Sequence, residues 1–188
     1  MVSVLSSVSQ CDAAAARSIS LTDSIITGST GAIGLGAVQL AKKLGAKVIG
    51  LGSDKENTGR LEVVKQMGAD HVIDYGSEDV VARIMQITNG RGVDAVQAAV
   101  DTTTANEGIE VLAFAGAISC IAGLPILSDD TFAKAISLHK ISLGAAHASD
   151  NREAQLDLAR MATEMINLVR AGKIDTMVSQ TLEVAQST

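Results

Sequence analysis

The stretch SIITGSTGAIGLGAVQLAKKLGAKVIGLG, residues 24–52, decides the fold. Its first four residues are a β-branched run that stops at a glycine, which reads as a buried strand. Gly28, Gly31, Gly34 and Gly36 then fall within nine residues. Ile33, Ala37, Leu40, Ala41 and Leu44 recur at helical spacing until Gly45, which stands where a glycine ends a helix. KVIGLG, residues 47–52, is a second apolar run. Strand, glycine turn, helix and strand in this order make a parallel βαβ unit. Its helix N-terminus offers unpaired N–H groups and a positive dipole end to an anion.

The alternation continues to the C-terminus. Residues 60–67 read as a helix closed by Gly68, and HVIDY (71–75) as a third strand. Ser77 is expected to cap a helix over 78–89, in which Val80, Val81, Ile84 and Ile87 share a face and which Gly90 ends. VDAVQAAV (93–100) reads as the fourth strand, 105–116 as a helix with an internal glycine, and AISCIAG (117–123) as the fifth strand. After the single proline, Pro125, residues 130–137 suggest a short helix and ISLGAA (141–146) a sixth strand. Asp150 and Glu153 resemble a capping pair for a long helix over 151–171 closed by Gly172, and the tail from Ile174 suggests a short extended piece. Strands alternating with helices imply right-handed crossovers and a parallel sheet. Strands apolar throughout imply a sheet covered on both faces. The expected fold is therefore α/β: a doubly wound, six-stranded parallel sheet with helices on both faces, in three layers. Residues 1–22 are small and Ser/Ala-rich and suggest an arm or loose helix, and residues 23–188 one domain.

Composition narrows the function. The 188 residues suffice for one core, and 47% are hydrophobic, which argues against disorder. Aromatics are only 2%, so aliphatic side chains must fill the core. The net charge of -6 argues against a nucleic-acid surface, which needs excess Lys and Arg. Cys11 and Cys120 stand far apart, which suits a reducing cytoplasm and argues against a disulfide framework. No apolar run reaches membrane-span length, and no basic residue precedes Arg17. The expectation is a cytoplasmic protein without nucleic-acid or membrane partners.

The first βα turn of a doubly wound sheet is where a dinucleotide pyrophosphate binds. Against the pattern G-x-G-x-x-G the frame here is Ser29-Thr30-Gly31-Ala32-Ile33-Gly34, with serine at the first glycine and Gly28 one position early. No Gly-Lys-Ser/Thr follows, which excludes a Walker loop. The stretch TGSTGAIG also fits the glycine loop of short-chain dehydrogenases, but those need a Tyr-x-x-x-Lys pair. The only tyrosine is Tyr75, and Asp79 stands four residues on.

ITGSTGAIGLGAVQLAKKLGAKVI, then MGADHVIDY, then ITNGRGVDAV, resemble the cofactor domain of medium-chain dehydrogenases/reductases. The quinone-oxidoreductase-like and zinc-type alcohol dehydrogenase-like branch is the nearest. LAFAGAISCIAGLP and ISLHKISLGAAH are similar to its later strands. The resemblance spans residues 24–182 and implies a Rossmann sheet with an NAD(P)H site. It further implies an oxidoreductase that reduces a small carbonyl, quinone or enone, and a homodimer formed near the sheet edge. Complete members carry an N-terminal, GroES-like barrel domain that supplies most of the substrate pocket and, where present, the zinc ligands. That domain is expected to be absent here, and Cys11, His71, His139 and His147 lack zinc-ligand spacing, so no metal is expected. A stand-alone module that binds or senses NAD(P)H without turnover is the alternative.

An acid at the end of the second strand would bind the ribose of NAD(H). Gly52 stands there instead, followed by Ser53, a hydrogen-bond donor, with Lys55 and Arg60 as possible charge partners of a 2′-phosphate. Asp54 and Glu56 in the same loop argue the other way. NADP(H) is favoured over NAD(H). The candidate cofactor residues are Gly28, Ser29, Thr30, Gly31, Ala32, Ile33 and Gly34 in the turn, with Gly52, Ser53, Lys55 and Arg60 beyond the second strand. Tyr75 after the third strand, Val100 and Asp101 after the fourth, and Ala122 and Gly123 after the fifth complete them. Asp101 replaces a glycine pair usual in the family and suits either a ribose hydroxyl or a helix cap. No side chain is assigned a catalytic role: His71 reads as structural, His139 and His147 have no partner for base catalysis, and Cys120 reads as buried.

Overall fold

The computed structural model describes residues 23–55, 59–178 and 181. Six strands form one sheet: β1 (Asp23–Thr27), β2 (Lys47–Gly52), β3 (His71–Asp74), β4 (Val93–Ala98), β5 (Leu112–Cys120) and β6 (Ser137–Lys140). Every pairing is parallel and the order is β3-β2-β1-β4-β5-β6. The order reverses at β1, so the crevice between β1 and β4 is the topological switch point where doubly wound sheets bind ligands.

Helices α1 (Ala32–Lys43), α2 (Arg60–Gln66), α3 (Val80–Ile87) and α4 (Thr102–Val111) connect the first five strands. Two cores show that both faces are covered. Val48 of β2 packs with Ala37, Val38 and Ala41 of α1 and Val64 of α2. Its neighbour Ile49 packs with Ile84 of α3, Ala105 and Ile109 of α4, and Ile118 of β5. Successive residues of a strand point to opposite faces, so an all-apolar strand supplies both. Ile73, Ile84 and Ile118 are fully buried, each worth about 1.5–3 kcal/mol of transfer from water. Gly108 inside α4 is explained by contact: a Cβ there would lie 2.8 Å from Val96 Cγ1, so glycine lets the helix ride close to the sheet.

Several boundaries differ from the sequence reading. The α3 cap is Asp79, whose carboxylate accepts the Ala82 N–H at 2.9 Å, and not Ser77. Helix α4 begins at Thr102 and ends at Val111, so residues 112–116 belong to β5 and not to a helix. Leu112 pairs with Val93 of β4, and after an irregularity spanning residues 113–116 the pairing resumes at Ala117 opposite Ala95, so the helix ends where the ladder begins. The sixth strand lies at Ser137–Lys140, ahead of its expected place at 141–146, and His139 is within it. α5 (Asp129–Ala133) precedes it. α6 (Leu143–Ala148), which carries His147, takes most of the segment read as strand. α7 (Arg152–Arg170) is capped by Asn151 accepting from Ala154 N at 3.1 Å. The asparagine and not the Asp150–Glu153 pair does this. Residues 174–178 have no regular structure, and expectations for residues 1–22 and for the rest of the tail lie outside the described residues.

Candidate functional site

The turn after β1 is built by contacts at its glycines. Gly28 takes φ +65°, a left-handed conformation natural to glycine. A Cβ on it would also lie 2.9 Å from Val100 Cγ2, so the tips of β1 and β4 touch there. Gly34, in the first turn of α1, rests on the loop itself. Its Cβ would stand 2.3 Å from the Gly28 oxygen and 2.5 Å from Ser29 Cα. Gly31 differs, since its Cβ would meet only the Gly28 oxygen at 3.6 Å, so space is open in front of it. Gly31 is the N-cap of α1, with no side chain capping the helix and no acid in its first turn. Asp79, Asp101 and Asn151 cap α3, α4 and α7. The N-terminus of α1, from Gly31 through Ala32 and Ile33, is therefore left free of a built-in anion or amide cap, and Ile33 is exposed beside it.

Ser29 and Thr30 hold this cradle from beneath. Ser29 is fully buried, and both its N–H and its hydroxyl donate to Leu51 O, each at 2.9 Å. Its side chain ties the turn to β2 and does not face the open side. Thr30 packs on the end of β2, where a Cβ at Gly52 would lie 2.5 Å from Thr30 Cγ2 and 2.8 Å from Leu61 Cδ2. Thr27, which the sequence reading passed over, joins the two central strands. Its hydroxyl donates to Gln97 O at 2.9 Å and accepts from Ala99 N at 3.0 Å.

Past Gly52, Ser53 Oγ is buried without a hydrogen-bond partner. Asp54 accepts the Gly59 N–H at 3.0 Å, which sets it at the start of α2, where Arg60 is exposed. Glu56 lies outside the described residues. Lys55 is exposed, and its Cε lies near Gly76.

A groove of about 850 Å³ opens at the C-terminal ends of the strands, between α3 and α4. Thr27, Gly28, Leu51, Tyr75, Val100 and Asp101 line it, joined by Val80 and Val81. Tyr75 is 56% exposed at its edge, and its N–H donates to Gly52 O at 3.1 Å. The far wall is acidic, with Glu78, Asp79, Glu107 and Glu110. Burial raises the Glu107 pKa, and the charges of Glu110, Asp101 and Asp79 add to the rise. Asp101 caps α4 in a capping box. Its carboxylate accepts the Thr104 N–H at 2.9 Å and the Thr104 hydroxyl at 3.0 Å, and these bonds hold the carboxyl below the usual range, while its own N–H donates to Thr104 Oγ1. Gly123 packs behind that helix end, where a Cβ would lie 2.3 Å from Thr102 N, and Ala122 beside it is exposed. Gly28 of the turn, Tyr75, Val100 and Asp101 thus meet around one groove, and residues 29–34 do not line it. Ser53 and Lys55 form a separate end near Gly76, and Ala122 and Gly123 lie behind α4. Of the residues the sequence did not flag, Thr27 and Leu51 had the signal of ending strands, and Gly76 of following one.

Among the described residues no group of three His, Cys, Asp or Glu side chains is spaced to hold a metal ion. Burial pushes the Cys120 thiol up, although Lys140 opposes it. No helix among the described residues is long and apolar enough to cross a membrane.

An open helix N-terminus at a switch-point turn fits a pyrophosphate. Residues 32–163 match the family model of zinc-binding dehydrogenases. An alcohol dehydrogenase of Cupriavidus necator is 32% identical over 164 residues, 84% of this chain and 41% of that protein. A quinone oxidoreductase of Pseudomonas syringae superposes with a TM-score of 0.69 at 27% identity, covering 82% of this chain and 47% of that one. The quinone oxidoreductase of Escherichia coli complexed with NADPH gives 0.69 at 26% identity, covering 85% and 48%. The chain spans about half the length, or less, of these relatives. The chain belongs to the zinc-binding dehydrogenase family and is an NAD(P)-binding domain of the medium-chain dehydrogenase/reductase type.

Proposed function

We propose that the chain is the cofactor domain of an NADPH-dependent oxidoreductase that reduces a small carbonyl, quinone or enone. The observation that carries the cofactor choice is the end of β2. A ribose-binding acid at position 52 would collide with Thr30 and Leu61, and the next residue offers an unpartnered serine hydroxyl with a lysine close by. Gly31, Ala32 and Ile33 would hold the pyrophosphate at the α1 N-terminus, while Gly28 and Gly34 allow the close turn. Tyr75 and Val100 would flank the adenosine, Lys55 and Arg60 would supply charge to the 2′-phosphate, and Ala122 and Gly123 would border the nicotinamide half. Bound NADPH supplies the hydride, and the protein's part is to orient it and exclude water.

The neighbour solved with NADPH supports the nucleotide class, and quinone and alcohol relatives support the substrate classes. A substrate pocket would need a second, GroES-like domain over the groove. Association into a homodimer through the β6 edge is supported by the exposed apolar side chains Phe114, Ile126 and Phe132, and by α7, none of whose residues is buried. A cytoplasmic setting accords with the two scattered cysteines.

Titrating the chain with NADPH and with NADH, reading nicotinamide fluorescence, tests the cofactor claim. A quinone and aldehyde reduction assay tests the activity. Tighter binding of NADPH than of NADH is the expected result, with turnover only where the substrate-pocket domain is also present. Binding without turnover even with that domain present would make the chain a nucleotide-binding module, and binding of neither nucleotide would overturn both readings.

A further inference from the structure

Gly76 lies exposed in the turn after β3, and its φ is outside the left-handed range, so the backbone does not require glycine there. Its neighbours do. A Cβ on Gly76 would stand 3.1 Å from Ser53 Oγ, 3.1 Å from Asp74 Oδ1 and 3.2 Å from Lys55 Cε. Two chain segments therefore converge on a space a few tenths of an ångström too tight for a methyl group. Ser53 Oγ is buried and unpartnered, a state that destabilises the free protein and is relieved by a ligand able to bond to it. Asp74 is already engaged, accepting the Gly76 N–H at 2.9 Å. Lys55 makes no ion pair among the described residues.

We propose that Gly76 is a specificity-determining residue whose missing side chain lets the Ser53 hydroxyl and the Lys55 ammonium close together on the 2′-phosphate of NADPH. This rests on the NADPH reading above. The physical argument lies in what can move. In the free protein the exposed lysine stem swings clear of an added methyl group at little cost. Once the ammonium and the hydroxyl are both held on one phosphate, the stem is pinned and the methyl collides. The burden of a side chain at position 76 thus falls on the NADPH complex alone, and NADH, which has no 2′-phosphate, does not meet it.

Calorimetric titration of the wild type, Gly76→Ala and Ser53→Ala with NADPH and NADH tests this, with thermal melts alongside. Gly76→Ala is expected to bind NADPH about tenfold more weakly and NADH unchanged, and to melt within about 2 °C of the wild type. Ser53→Ala is expected to show the same selective loss, and the double variant to lose no more than the larger single loss, because both act on one contact. A wild type that does not prefer NADPH would overturn the cofactor reading and this inference with it. A wild type that prefers NADPH, with a Gly76→Ala variant that keeps its affinity or loses both nucleotides equally, would overturn the role of Gly76 alone.

Discussion

Three glycines at the start of α1 should respond differently to the same added methyl group. At Gly34 the methyl would stand 2.3 Å from the Gly28 oxygen and 2.5 Å from Ser29 Cα, both backbone atoms that cannot rotate aside. Overpacking of this kind costs about 3 kcal/mol, at the upper end of its usual range. Replacing a helical glycine returns about 1 kcal/mol, leaving a net loss of about 2 kcal/mol. For a chain of this size that is a fall of roughly 4–8 °C in melting temperature. At Gly36 the methyl meets nothing within 4 Å, so only the helical gain remains, a rise of roughly 2–4 °C. At Gly31 the space is open. Loss of a glycine N-cap and gain of chain stiffness, each about 1 kcal/mol or less, nearly cancel. Stability should hold while NADPH affinity falls about tenfold, because the methyl occupies the room an anion needs. Thermal melts by circular dichroism and a nucleotide titration on Gly34→Ala, Gly36→Ala and Gly31→Ala read all three. A Gly34→Ala variant that melts at or above the wild type would refute the packing argument. Unchanged NADPH binding by Gly31→Ala would refute the cradle.

Thr27→Val keeps the side-chain shape but removes the acceptor of the Ala99 N–H and the donor to Gln97 O. It should lower stability by about 1–3 kcal/mol, read as a lower urea midpoint with an unchanged slope. Asp70 gives a pH prediction. Burial raises its pKa, but the hydrogen bonds from Lys42 Nζ and Val48 N and the Lys42 charge outweigh it, so the folded value lies below the ordinary one. A depressed carboxylate pKa contributes stability that is present above the unfolded value and lost as pH falls through the folded one. Asp70→Asn should therefore be less stable than the wild type near pH 7, and the gap should narrow toward about pH 3 in parallel urea titrations. A gap that stays constant across that range would show that Asp70 acts by shape and not by charge.

The β/α alternation and the glycine turn were legible in the sequence because hydrophobic period and glycine position are local properties. Where strands and helices were separated by glycine, as at Gly45, Gly68 and Gly90, boundaries came out within a residue or two. They failed between Asp101 and Ala148, where short apolar runs serve either state, and held again for α7. Leu112 pairs with Val93 of β4 and pairing resumes at Ala117, so residues 113–116 are an irregular stretch within β5, and the sixth strand formed ahead of ISLGAA because Ile118 had Leu138 opposite it. At the site, residue type was readable but direction was not. Ser29 was chosen as a loop donor, and its hydroxyl turns inward to Leu51 O. The importance of Thr27 and Gly76 is a matter of contacts between segments distant in sequence, which no local pattern encodes.

Tyr75 has a practical consequence. The chain contains no tryptophan and this one tyrosine, so a single residue supplies nearly all of its near-ultraviolet emission. That residue stands at the lip of the groove that the nucleotide would enter. The protein is in effect labelled by its own sequence: quenching of tyrosine emission by a nicotinamide ring, or its recovery on release, reports events at one address, with no background from the core.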